Sequence, residues 1–110
     1  MESISLEELA EQELALARAA HSGRAARTVH GGQQHVLRQT LIALASGHEL
    51  AEHDSPREAT LQVLVGRVRL SSATDSWEGA AGGFVVIPVE RHSLLAIDDS
   101  VVLLTAITEG

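Results

Sequence analysis

The sequence predicts an all-β fold, a sandwich or small barrel, preceded by one N-terminal α-helix. Three observations carry that prediction. Apolar residues recur at helical spacing only in the first twenty or so positions. From Arg24 onward the chain breaks into short apolar runs, several with strict alternation, set about 8 to 12 residues apart by Gly, Ser, Asp and Pro. No second helical pattern lies between those runs, as a parallel α/β fold would require.

The helix begins at Ser5, whose hydroxyl can accept from the amide of Glu8. Leu6, Leu9, Ala10, Leu14, Leu16, Ala17 and Ala20 then share one broad stripe, with acids early and Arg18 and His21 late, as the helix dipole favours. Glu13 falls inside the stripe and reads as a long side chain reaching water from the edge of a contact. Ser22-Gly23 ends the helix near Ala20.

The expected strands are Arg27 to His30, His35 to Ala45, Thr60 to Val65, Val68 to Ser71, Ser76 to Glu78, Phe84 to Ile87, His92 to Ile97 and Val101 to Ile107. Gly31-Gly32 after His30 reads as a hairpin or bulge, since no helix start follows it. Thr60–Val65 alternates and lines a core on one face only. Phe84–Ile87 and Val101–Leu104 are apolar on both faces, so each is expected to be covered twice, by the barrel interior and by the helix or a second copy of the chain. A homodimer is the expected assembly, with Trp77 and Phe84 in the core. The chain is one domain: residues 1–23 form a helix packing on the barrel, and residues 24–110 form the barrel itself.

Composition narrows the chemistry. The 110 residues carry 8 basic and 15 acidic side chains, net −7, which repels a polyanion and leaves neither nucleic acid nor an anionic membrane as an expected partner. Cys, Lys, Tyr and Asn do not occur, so thiol and lysine nucleophiles, disulfides and thiolate metal sites are excluded. The first residues are acidic where an export signal would be basic and apolar, and a cytoplasmic location is expected. Six histidines then stand out among the remaining reactive groups. His53-Asp54-Ser55 is not a hydrolytic triad, because neighbours on a strand point to opposite faces and no nucleophile elbow accompanies them.

Gly47, five residues, His53 and then Gly66, with the hairpin Leu61–Leu70 between strands, followed by Gly82, five residues, Pro88 and His92, resembles the two motifs of the cupin superfamily. The resemblance covers roughly residues 27–108 and implies a cupin jelly-roll barrel (double-stranded β-helix, RmlC-like). Metal-binding cupins draw two His and one Glu from the first motif and one His from the second, a set suited to Fe, Mn, Ni, Cu or Zn. The matching positions here hold His53, Ser55, Ala59 and His92. A slipped register would bring Glu58 inward but would turn Leu61, Val63 and Val65 outward, at roughly 1.5 to 3 kcal/mol for each aliphatic side chain exposed. Ala59 is therefore expected inside and Glu58 outside.

The resemblance leaves two readings. In the first, a small molecule binds in the barrel pocket against His53, Ser55, His92 and Arg38, with no tightly held metal. In the second, a dioxygenase- or isomerase-like enzyme uses a divalent transition metal (Fe, Mn, Ni or Zn) on His53 and His92, completed by a third group such as His48 or His30. An imidazole can serve either reading, as acid, base, hydrogen-bond partner or ligand. The sequence names no substrate.

Overall fold

In the computed structural model, residues 1–53 and 58–108 are described, Glu52 and His53 by their backbone. Helix α1 spans Leu6–Ala19, and Ser5 caps it by accepting from the Glu8 amide at 3.2 Å. Nine strands follow: β1 (Arg24–His30), β2 (Leu37–Leu44), β3 (Glu49–His53), β4 (Ala59–Val65), β5 (Arg67–Ser72), β6 (Ser76–Ala80), β7 (Phe84–Val86), β8 (His92–Ala96) and β9 (Ser100–Ile107). They pair antiparallel in two sheets, ordered β1-β2-β9-β4-β7 and β3-β8-β5-β6. This is the jelly roll expected from the sequence.

Alternation decides which side chains fill the space between the sheets. On β4, Ala59, Leu61 and Val63 are buried while Gln62 is exposed. Leu44, Val68, Leu70, Leu94, Ala96 and Val102 join them from the other strands in one core. Ala59 is thus inside and Glu58 exposed, as the burial argument required.

The outer face of the five-stranded sheet is covered over part of its width. Helix α1 packs on β1, β2 and β9, where Ala10, Leu14 and Ala17 meet Leu41, Ala43 and Val101. Burial of Val101–Leu103 on both sides of the sheet follows from this contact. The helix does not reach β7: Phe84 and Val86 are 61% and 66% exposed, so Phe84 is not a core residue, whereas Trp77 packs against the core. Within the helix Leu16, a stripe residue, is exposed, and Glu13, expected to reach water from the edge of the contact, is buried.

The connections segregate into two ends. The turns after α1, β2, β4, β6 and β8 gather at one end, where Ala45 donates to the Gly23 carbonyl, Gly47 to Ala96 and Ile97 to Arg67. Gly66 closes the β4–β5 hairpin there with φ of +83°, in the left-handed region, and a Cβ on it would overlap the Asp99 carbonyl and the Ser100 hydroxyl. The C-terminal ends of β1, β3, β5, β7 and β9 gather at the opposite end, which holds His30, His53, Ser72 and Val86 and is called the open end, the first being the closed end.

Candidate functional site

The two histidines singled out in the sequence are brought together by strand register. β3 runs toward the second end and β8 starts there, and the pairing sets His53 directly opposite His92. β5 flanks β8 on its other side, where Ser72 is the partner of His92. Ser72, His92 and His53 therefore form one row across three strands, and cross-strand partners are neighbours at about 5 Å.

His92 occupies the inward parity of β8 with Leu94 and Ala96 and is 3% exposed. Its Nδ1 lies 3.0 Å from the Glu90 carbonyl oxygen. A carbonyl only accepts, so Nδ1 carries a proton and the lone pair of the neutral ring is on Nε2. The ring is thus oriented by backbone.

Beside this row the chain between β7 and β8 meets the turn between β5 and β6. Glu90 Oε1 accepts from Ser72 Oγ at 2.8 Å and from Thr74 Oγ1 at 2.7 Å. The two hydroxyls, Thr74 more strongly, hold the Glu90 carboxyl below the ordinary carboxylate range. The Ser72 hydroxyl also receives the amides of Thr74 and Asp75 and so pins the turn that carries its partners. These groups border a cleft of about 200 Å³ whose apolar wall includes Leu70, Trp77, Val85 and Pro88. The six-membered ring of Trp77 lies over Gly79 and close to Gly83, where a side chain at Gly79 would collide with it. Larger clefts, of about 550 and 560 Å³, flank α1 on the outside of the barrel, away from His92.

The other sequence candidates separate by position. Arg38 lies on β2 at the same end, on the inward parity of Thr40 and Ile42; its stem runs past Gly31 and its side chain is exposed. Ser55 lies outside the described residues. His48 is not a third partner for the pair. It precedes β3 at the closed end, its ring packed over Gly23 and its carbonyl bound by the Ala96 amide, some four strand residues or about 13 Å from the level of His92. His30 is at the open end but packs against His35 in the β1–β2 hairpin, ring centroids 4.8 Å apart and the planes tilted by 50°. Glu90, Ser72 and Thr74 escaped the sequence analysis, because turn residues 16 to 18 positions apart share no periodic signal.

The family's metal set finds few donors here. Position 59, which would supply a carboxylate, is a buried Ala, and Glu58 beside it is exposed. Among the described residues no three His, Asp or Glu side chains are grouped to hold an ion. The described donors thus do not fit a three-nitrogen, one-oxygen site.

No protein-family model matches the sequence, and no curated protein matches it. Solved structures do. A conserved protein of unknown function from Streptococcus pyogenes is 25% identical with a TM-score of 0.71, the match covering 83% of this chain and 79% of that one. An RmlC-like cupin protein from Desulfovibrio desulfuricans is 21% identical with a TM-score of 0.70, over 96% and 94% of the two chains. Salicylate 1,2-dioxygenase from Pseudaminobacter salicylatoxidans is 19% identical with a TM-score of 0.76; 91% of this chain matches 33% of that one. Strand order, register and these neighbours agree: the chain has the RmlC-like cupin jelly-roll fold of the cupin superfamily.

Proposed function

We propose that this chain is a small-molecule-binding cupin whose ligand enters the open end of the barrel, with His53, Ser55, His92 and Arg38 as contact positions and no tightly held metal. The observation that supports it most is the row of Ser72, His92 and His53, set by register at the end where Ser72, Thr74 and Glu90 border a cleft. His92, oriented through Nδ1 on the Glu90 carbonyl, presents an imidazole at the inner wall of this end, a group that suits a ligand hydroxyl or carboxylate.

A second reading, a dioxygenase- or isomerase-like enzyme using a divalent metal on His53 and His92, draws on the likeness to salicylate 1,2-dioxygenase. Elemental analysis of protein purified without a histidine tag separates the two. Folded protein that lacks metal and takes up no Fe, Mn, Ni or Zn supports the first reading and defeats the second. Stoichiometric metal that disappears in His53→Ala does the reverse.

The same proposal places the protein in the cytoplasm as a homodimer. Phe84 and Val86, exposed on the outer face beyond the reach of α1, support the dimer as the surface a second copy would cover. Sedimentation should give twice the monomer mass, falling to the monomer in Phe84→Ser; a monomeric wild-type protein at micromolar concentration contradicts it.

A further inference from the structure

The cleft beside the histidine row is chemically one-sided. Among the described residues its lining includes two carboxylates, Asp75 and Glu90, three hydroxyls and the apolar side chains of Leu70, Val85 and Trp77, and no Arg or His. Glu90 uses Oε1 for both hydroxyl bonds, and Oε2 has no hydrogen-bond partner among the described residues. The Trp77 indole borders the cleft, its six-membered ring lying in the space that Gly79 and Gly83 leave free of side chains. A fixed carboxylate next to an indole attracts a cation through charge and quadrupole together, and repels an anion.

We propose that this cleft is a subsite for a small organic cation, a primary ammonium group carried on a compact apolar body, with the ammonium on Glu90 and the body against Trp77, Leu70 and Val85. This deepens the reading above, resting on ligand entry at the open end and naming the charge of the group that lodges there. Asp75 strengthens the field at the rim. Arg38, on the facing sheet, lies outside this lining and is left for the anionic or polar part of a larger ligand.

Trp77 is the only tryptophan of the chain and reports on the cleft directly. Its fluorescence can be titrated with cyclohexylammonium, cyclohexanol and cyclohexanecarboxylate, three probes that share one body and differ in charge. Saturable binding is expected for the ammonium probe, about tenfold tighter than for the alcohol, with none for the carboxylate. Glu90→Gln, which keeps the shape and an acceptor for Ser72 and Thr74, should remove about that tenfold margin. In the wild-type protein, added salt should weaken the ammonium probe and leave the alcohol unchanged. Equal affinity for ammonium and alcohol, salt-independent binding, or no saturable response to the ammonium probe overturns the proposal. The probes read Glu90, whereas the metal analysis and His53→Ala read the histidine pair, so the two can fail separately.

Discussion

The two ends of the barrel are built on opposite principles. At the closed end, side chains are consumed by the backbone around them. Ser100, 1% exposed, donates alternately to the Arg67 and Asp98 carbonyls and accepts from the Arg67 amide. Asp99 accepts from the Ser46 amide at 2.8 Å and from Arg18 Nε at 2.7 Å, fastening the last turn of α1 to the β8–β9 turn. Ser46 in turn donates to the Ile97 carbonyl. At the open end, Glu90, Ser72 and Thr74 bond to one another around a cleft, and Arg38 has no ion-pair partner among the described residues. Polar groups at the closed end tie separate elements together through backbone; at the open end Ser72 pins only its own turn and the Glu90 carboxylate borders a cleft. The comparison predicts that substitutions at the closed end cost stability and that those at the open end cost binding.

The largest loss is expected for Gly66→Ala. Left-handed strain of roughly 1 to 2 kcal/mol adds to an overlap with backbone that cannot move aside, for about 3 kcal/mol in denaturant unfolding. Ser100→Ala ranks next, at about 2 kcal/mol, because one hydroxyl serves three backbone groups that would be left without it. A closed end that tolerates both changes would erase the contrast.

Asp99 gives a pH test of the same contrast. The Ser46 amide first, then Arg18, lowers its carboxyl pKa in the folded state. A depressed acid contributes stability that is present above its unfolded pKa and is lost as the pH falls through the folded value. The melting temperature of the wild type should therefore fall more steeply than that of Asp99→Asn between about pH 5 and pH 3. The slope difference is modest, since the ion pair is partly solvated. Parallel curves would show that Asp99 does not fasten this end.

The smallest stability effect belongs to Arg38→Ala at the open end. It should change unfolding by less than about 0.5 kcal/mol, as exposed substitutions generally do, while weakening any ligand that carries a carboxylate. A large stability loss there would mean that the open end is structural too.

What the sequence disclosed follows the same division. The helix with its Ser5 cap and the inward placement of Ala59 over Glu58 were legible, because local capping and strict alternation are short-range signals. β3 was not: Glu49–His53 is five residues of mixed polarity at a sheet edge, without the alternation of a half-buried strand. Without β3, His48 and His53 could not be assigned to opposite ends, and His48 stayed a candidate ligand. Phe84 looked like core because β7 is apolar throughout, yet it lies on the edge strand that α1 does not cover. Glu90 gained its role only from the packing of two turns.

The most direct test of ligand entry at the open end is a crystal structure of untagged protein taken from cells without added ligand. Ordered density beyond water beside His92 and His53, in contact with the cleft of Glu90 and Trp77, is the predicted result. A well-ordered open end holding only solvent, with a small molecule seated instead along α1, would contradict it.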